Sequence, residues 1–168
     1  ALNNYRKYIQ DYPNGSCKAR VNYGIAKCLV QLEKNNEAVK IFNELLNSTL
    51  TNDNNNNNDD DIIGDIHFEL ANIAKKENNI YDALNHYKTA LSLQSFSNKD
   101  EVLILMGDIY FEKKLYTEAH AYYLNALSKI ETEIDSVRTL TKLISSLIMS
   151  GKTKKAQKRI LTFKEKYG

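Results

Sequence analysis

The sequence lacks most of what a β-rich, disulfide-rich or membrane-spanning protein needs. Among its 168 residues there is no Trp, one Pro and six Gly, which leaves little turn-forming material for many short strands. No apolar run approaches the roughly 18 residues that would cross a bilayer. Two cysteines, Cys17 and Cys28, are too few for a disulfide framework or a four-ligand zinc site. The 23 basic and 21 acidic residues give a net charge of +2, so overall charge favours no nucleic-acid or membrane partner.

Asparagine, in contrast, is abundant, with 20 residues that include the unbroken run Asn54–Asn58. The stretch from Thr51 to Asp61 has no apolar side chain to bury, which predicts a disordered surface insertion. Polar insertions of this length cost little free energy in surface loops. An acidic tether for a basic partner is the functional alternative for the same stretch.

Outside this stretch, apolar residues recur every three to four positions, as Leu103 and Met106 do, which is typical of α-helices. Ser16 and Asp61 fit helix starts, and Gly151 fits a helix end. No segment shows the alternation of a strand. We predict nine helices, near residues 1–11, 16–33, 36–49, 63–77, 80–94, 99–113, 116–130, 134–149 and 153–167.

The predicted helices form a repeating series. An alanine followed four residues later by an aromatic ring recurs in the strings EAVKIFNELL, DALNHYKTAL and EAHAYYLNAL. The marker alanines are Ala1, Ala38, Ala83, Ala119 and Ala156, separated by 37, 45, 36 and 37 residues. Removing the eleven residues of the predicted insertion from the longest interval leaves 34. Such a period indicates a helical repeat array, in which stacked helix pairs share a core.

The positions within each period carry a family pattern. Leu103, Met106, Gly107 and Tyr110 stand where tetratricopeptide repeats have Trp, Leu, Gly and Tyr. The chain therefore resembles the tetratricopeptide-repeat family over nearly its whole length. The resemblance implies an all-α, right-handed superhelical solenoid of antiparallel helix pairs, with about four repeats and one leading half repeat. The implied boundaries are 1–15 for the trailing helix of an upstream repeat, 16–50, 62–98, 99–133 and 134–168 for repeats one to four, and 51–61 for the insertion.

Small residues are expected where the two helices of a pair approach most closely. On the first helices these are Ala26, Ala71 and Gly107, and on the second helices Ala38, Ala83 and Ala119. In repeat three we expect Gly107 to face Ala119 across the helix pair.

Residues that could carry chemistry are sparse. His67, His86 and His120 fall on three different predicted helices, and the sequence has no Gly-rich phosphate loop, paired-cysteine spacing or Ser elbow. Asp108 and Glu112 lie one helical turn apart and could suit a cation, but they fit an acidic surface patch better. We therefore predict no enzymatic activity, no cofactor, no metal site and no small-molecule substrate.

The resemblance also implies a function, because repeats of this family generally bind peptide segments or partner helices in a concave groove lined by the first helices. It predicts a non-catalytic scaffold or adaptor with protein or peptide partners. Each aromatic ring of the predicted groove has an alternative role in packing between repeats. By position, the groove residues are Arg20, Tyr23, Lys27, Asp65, Phe68, Asn72, Lys76, Glu101, Ile104, Asp108, Phe111, Arg138 and Lys142, completed by Gln31, Thr141, Ser145 and Met149.

A carboxylate-clamp co-chaperone module is a narrower alternative, which would hold the terminal carboxylate of a partner. Asn72, Arg138 and Lys142 match that pattern in kind, but Phe68 and Leu105 stand where it has Lys and Asn. These mismatches make the clamp a weaker interpretation than a general peptide groove.

Charge is most uneven at the C-terminus, where residues 152–167 carry seven basic side chains and one acidic side chain. The basic strip Lys155, Lys158, Arg159 and Lys166 could be a solvated face or a docking strip for an acidic partner. It also supports the second-ranked function, binding to RNA or an anionic membrane surface. No aromatic platform accompanies the charge, so both rank below a protein partner.

Two further expectations concern the start of the sequence. Ala1, Tyr5, Tyr8 and Pro13 fit the second helix of a repeat whose first helix would precede them. Self-association through exposed terminal repeat faces is therefore expected. No secretion signal is visible, so we expect an intracellular protein, cytoplasmic or nuclear.

Overall fold

The structure, a computed structural model, describes residues 1–12, 15, 17–51 and 60–167. Within these ranges it contains nine α-helices and no strand. The predicted helix start at Ser16, Pro13 of the predicted leading half repeat, and residues 52–59 of the predicted insertion lie outside these ranges. The helices are α1 (Leu2–Asp11), α2 (Lys18–Gln31), α3 (Asn35–Thr51), α4 (Asp60–Lys76), α5 (Ile80–Ser92), α6 (Lys99–Glu112), α7 (Tyr116–Leu127), α8 (Glu133–Met149) and α9 (Thr153–Tyr167).

Each predicted helix is present, with ends that differ by no more than a few residues. At the Asn-rich stretch, α3 extends to Thr51 and α4 begins at Asp60, while α7 ends at Leu127, before its predicted end. Both ends of the predicted loop therefore belong to helices. Aspartates are favoured in a first helical turn because their charge complements the unpaired backbone N–H groups there.

The chain forms two compact units, an N-terminal unit of Ala1–Ser97 and a C-terminal unit of Asn98–Gly168. In the N-terminal unit, residues of α2, α3 and α4 build a core that includes Leu29, Phe42 and Ile66. In the C-terminal unit, Tyr123, Leu143 and Ala156 join α7, α8 and α9 in a second core. Each unit holds whole helix pairs, as an all-α repeat fold requires. The predicted repeat boundaries stay a prediction.

The same turn joins the two helices of all four pairs. Each turn has one residue in the left-handed region: Glu33 (φ 59°), Asn78 (φ 61°), Lys114 (φ 62°) and Gly151 (φ 74°). In each, the next residue's N–H donates to a carbonyl five residues earlier, over 2.8–2.9 Å. This is the Schellman arrangement that ends many helices. The left-handed residues are 45, 36 and 37 apart, which matches the spacing of the marker alanines from Ala38 onward.

The small residues mark close helix contacts, with one correction to the expected partners. Ala38, Ala83 and Ala119 are fully buried. A Cβ built on Gly107 has its three nearest neighbours in the ring of Tyr123, not in Ala119. The reason is that Tyr123 lies one turn beyond Ala119 on α7 and its ring fills the space above the glycine.

Candidate functional site

Three groove residues predicted from the sequence come together on α2 and α4 of the N-terminal unit. Lys27 Nζ lies 3.2 Å from Glu69 Oε1 and 5.6 Å from the centre of the Tyr23 ring. Burial raises the pKa of Tyr23, and the nearby carboxylates of Asp65 and Glu69 raise it further. The charge of Lys27 is therefore balanced within the unit, next to a neutral phenol.

The other groove residues of this unit divide between its interior and its surface. The Phe68 ring lies 6.0 Å from the ring of Phe96, and Asn72 Oδ1 accepts a 2.6 Å hydrogen bond from the Tyr87 hydroxyl. Lys76 is exposed and pairs with Glu33 at 3.0 Å, while Arg20 is exposed on α2. Phe68 therefore packs against another ring, which is the alternative role that the sequence gives to each aromatic ring of the predicted groove.

In the C-terminal unit, a polar cluster of Asp108, Tyr123 and Lys142 joins α6, α7 and α8. The Tyr123 hydroxyl donates to Asp108 Oδ1 at 2.8 Å. Lys142 Nζ donates to both Asp108 oxygens, at 2.7 Å and 2.6 Å. Burial raises the pKa of Tyr123, as do its hydrogen bond to Asp108 and the charges of Asp108 and Glu112. We call this the Asp108 cluster.

Two cavities flank the Asp108 cluster, and both are lined by Asp108 and Lys142. The smaller cavity, of about 270 Å³, adds the Phe111 and Tyr123 rings and the hydroxyl-bearing side chains Thr141 and Ser145. The larger, of about 450 Å³, is acidic and adds Asn98, Asp100, Glu101, Ile104, Leu105 and Asp135. Seven groove residues predicted from the sequence therefore meet at one cleft: Glu101, Ile104, Asp108, Phe111, Thr141, Lys142 and Ser145. One more is placed nearby, since Arg138 Nη1 lies 3.8 Å from Asp135 Oδ1.

The residues that match the carboxylate clamp in kind are engaged with neighbours in the protein. Lys142 is held by Asp108, and Asn72 accepts from Tyr87. Asp100 and Glu101 add negative charge beside Lys142, which would repel a carboxylate ligand. This polarity suits a cationic ligand better than an anionic one.

Two histidines that the sequence placed on separate helices form a contact within one helix pair. His67 Nδ1 of α4 and His86 Nδ1 of α5 are 2.9 Å apart, so one ring must donate a proton that the other accepts. Burial lowers the pKa of both rings; the proximity of His86 lowers that of His67 further, whereas Asp82 acts to raise that of His86. Within the described ranges, no group of three or more His, Cys, Asp or Glu is placed to hold a metal ion.

Three cations of the predicted basic strip line a third cavity, which sequence analysis did not anticipate. Lys155, Lys158 and Arg159 of α9 meet His120 of α7 around about 430 Å³, together with Leu147 and Thr162. His120 contributes a ring nitrogen, Nδ1, that is buried and has no hydrogen-bond partner among the described residues. The side chain of Lys166 lies outside the described part of the chain. We call this cavity the basic pocket.

In the described ranges, no helix combines the length and the apolarity needed to cross a membrane.

Repeated helix pairs that are joined by the same turn, with a core inside each unit, define an α-helical repeat protein. A sequence model of the tetratricopeptide repeat matches residues 19–52, which include α3 and nearly all of α2, and residues 100–128, which include α7 and nearly all of α6. These two segments are thus tetratricopeptide repeats, and the nine helices of the described ranges are consistent with the repeat array that the sequence resemblance predicted. No curated protein matches it. Tetratricopeptide repeats are generally protein–protein interaction modules and are typically not catalytic.

Proposed function

We propose that the chain is a non-catalytic interaction module whose C-terminal unit binds a partner peptide that carries basic and apolar side chains. The observation that carries this proposal is the pair of cavities on either side of the Asp108 cluster. One offers carboxylates and the other offers the half-buried Phe111 ring, so a peptide lying across both would meet two different chemistries.

The charge of the larger cavity supports a cationic side chain as one anchor. Asp100, Glu101, Asp108 and Asp135 line it together with a single cation, Lys142. Lys142 is already neutralised by Asp108, and Asp135 is shared with Arg138 at 3.8 Å. With four carboxylates and one lysine, the lining of this cavity has a net negative charge. Charges at such a rim guide encounter and orientation more than they add affinity.

The smaller cavity supports an apolar side chain as the second anchor. The Phe111 ring is half-buried, and the Tyr123 ring is held in place by the hydrogen bond to Asp108. A preformed ring surface costs little conformational entropy when a ligand packs on it. The hydroxyls of Thr141 and Ser145 donate hydrogen bonds to carbonyls of their own helix. These two side chains therefore present methyl and methylene groups as well as oxygen to the cavity.

The test is a binding assay with designed peptides on the full chain. A fluorescein-labelled peptide of alternating Lys and Leu should bind more tightly than a Glu–Leu peptide or a Lys–Ser peptide of the same length. The double substitution Asp100→Asn and Glu101→Gln should weaken binding several-fold, since each rim charge contributes about 0.2–1 kcal/mol.

The matched control is the double substitution Glu118→Gln and Glu131→Gln, which removes two exposed carboxylates that line neither cavity. It should leave the affinity for the Lys–Leu peptide nearly unchanged. Equal binding of the Lys–Leu and Glu–Leu peptides, or equal losses in both double variants, would contradict the proposal.

A further inference from the structure

We infer that the basic pocket binds the phosphoryl group of a phosphorylated partner peptide. This site is independent of the acidic cleft, because no residue lines both the basic pocket and either cavity at the Asp108 cluster. It gives the C-terminal unit a second ligand site of opposite polarity.

The composition of the pocket is that of an anion site. Lys155, Lys158 and Arg159 converge on it from three positions of α9, and none of its lining residues is acidic. Among the described residues, these three side chains form no ion pair. Like charges held together repel one another, so a bound anion removes an unfavourable interaction as well as adding favourable ones. Arg159 adds a planar pair of donors suited to two phosphoryl oxygens.

His120 separates this pocket from an ordinary basic helix face. Its Nδ1 is buried without a hydrogen-bond partner, although nearly all buried polar atoms in native proteins have one. Burial lowers the pKa of His120, and the cations Lys152, Arg159 and Lys155 lower it further. An anion in the pocket would offset those cations and favour the protonated ring, which gains a donor. Anion binding is therefore expected to take up a proton.

The surroundings of the pocket favour a peptide over a nucleic acid or a bilayer. Its lining has no Phe, Tyr or Trp ring on which a base could stack. Helix α9 buries Ala156 in the core of the unit and keeps Ile160 and Phe163 partly buried, so most of its apolar side is occupied and little of it is free to insert into lipid. Leu161 and Ile148, each next to a pocket residue in sequence, are exposed large apolar side chains on which residues flanking a phosphoserine could pack. The cavity of about 430 Å³ falls within the size range of ligand pockets.

The direct test compares phosphorylated and unphosphorylated forms of one serine peptide with Leu on both sides of the serine, by fluorescence anisotropy on the full chain. We expect the phosphoserine peptide to bind at least roughly tenfold more tightly than the serine peptide. The double variant Lys155→Gln and Lys158→Gln should abolish that difference. Its matched control, Lys154→Gln and Lys164→Gln, removes the same charge from exposed positions of α9 outside the pocket and should preserve the difference.

A second measurement reports on His120 itself. Sulfate keeps its charge between about pH 6 and pH 8, whereas a phosphate monoester gains a proton near pH 6. Sulfate should therefore raise the melting temperature of the wild-type protein more at the lower pH, and His120→Asn should remove this pH dependence. The charged groups around His120 are Lys152, Lys155, Lys158 and Arg159, and Leu147 of α8 is apolar.

Several results would overturn the inference. Equal affinity for the two serine peptides, or equal losses in the two double variants, would reduce the pocket to diffuse surface charge. Inorganic phosphate binding as tightly as the phosphoserine peptide would leave the peptide without a role. Single-stranded RNA or phosphatidylserine vesicles binding more tightly than the phosphoserine peptide, with loss in the pocket variant, would make the site one for anionic polymers or membranes. None of these outcomes changes the binding expected for the Lys–Leu peptide. Either proposal can therefore be contradicted while the other stands.

Discussion

Gly107 of α6 lies beneath the ring of Tyr123 of α7, so closely that a Cβ on the glycine would stand 2.5 Å from Tyr123 Cε1 and 2.7 Å from Cδ1. The same ring is almost fully buried, and its hydroxyl donates to Asp108, one residue after the glycine. The absence of a side chain at Gly107 therefore sets the position of the tyrosine that completes the Asp108 cluster. Packing of one helix pair and the geometry of the candidate cleft depend on the same contact.

The substitution Gly107→Ala should destabilise the protein by roughly 1–3 kcal/mol, because the added methyl group overlaps the Tyr123 ring. Alanine favours a helix over glycine by about 1 kcal/mol, so a net loss would have to come from packing. Urea unfolding of the single variant, of Tyr123→Leu and of the double variant would measure the coupling. The cost of the alanine should fall when Tyr123 is replaced, and a cost that is unchanged would contradict the contact.

Much of the fold could be predicted from the sequence because the repeat amplifies weak signals. A single alanine before an aromatic ring says little, but the same pair at Ala38, Ala83 and Ala119 gives the helix order and the spacing. The partner of Gly107 could not be derived in this way. Ala119 and Tyr123 lie on the same side of α7, and only the direction of the large side chain decides which of them covers the glycine.

Two of the four left-handed turn residues allow substitutions that should change the stability of the protein in opposite directions. Lys114 (φ 62°) and Gly151 (φ 74°) hold equivalent turns, but only glycine adopts this conformation without a steric cost. Lys114→Gly should stabilise the protein by up to about 1 kcal/mol, and Gly151→Ala should destabilise it by about 1–2 kcal/mol. No atom lies within 4 Å of a Cβ built on Gly151, so its effect is purely conformational.

Denaturant midpoints of the two single variants would check these signs. Lys113→Gly is a suitable control, since it places a glycine one residue earlier, at the end of α6, where φ is negative. It should not stabilise the protein. A stabilising Gly151→Ala, or a destabilising Lys114→Gly, would contradict the assignment of the common turn.

The three histidines predict a loss of stability in acid. The pKa of His67, His86 and His120 is lowered in the folded protein, mainly by burial. The unfolded chain, with histidine pKa values near 6.5, therefore binds more protons than the folded chain as the pH falls. Stability should be fully present above about pH 7 and should decline through pH 6.5 and below, toward the folded pKa values. Protonating both rings of the His67–His86 pair also removes the acceptor of their hydrogen bond.

Urea unfolding between about pH 5 and pH 8 would measure this decline. The double variant His67→Asn and His86→Asn should show a shallower dependence on pH than the wild type, whatever its stability at neutral pH. The same slope in both proteins would show that the pair does not titrate as expected.

The residues of the candidate cleft could be predicted from the sequence, but the ion pair that forms within it could not. Asp108, Phe111 and Lys142 fall at first-helix positions that the family pattern assigns to a groove. The ion pair between Asp108 and Lys142 joins residues 34 positions apart, and a single sequence does not reveal which charges of neighbouring repeats meet. His120 was missed for the same reason, since its helix, α7, is separated in sequence from the cations of α9 by all of α8.

The Asp108 cluster predicts the behaviour of the protein in base. The pKa of Tyr123 is raised above its ordinary value near 10 by burial, by its hydrogen bond to Asp108 and by the charges of Asp108 and Glu112, while burial and nearby carboxylates raise that of Tyr23. In the unfolded chain these phenols ionise near pH 10, so the stabilisation is present below that pH and is lost as the pH rises above it. In an alkaline titration of tyrosinate absorbance, the phenols of Tyr23 and Tyr123 should therefore ionise only as the helical signal in circular dichroism disappears. Tyr123→Phe should delay unfolding in base and cost about 1 kcal/mol at neutral pH through the lost hydrogen bond.

The control is Tyr81→Phe, which removes a phenol that is 76% exposed. It should change neither the unfolding in base nor the stability at neutral pH. Ionisation of every tyrosine while the helices stay folded would contradict the burial of the phenol that joins α6, α7 and α8.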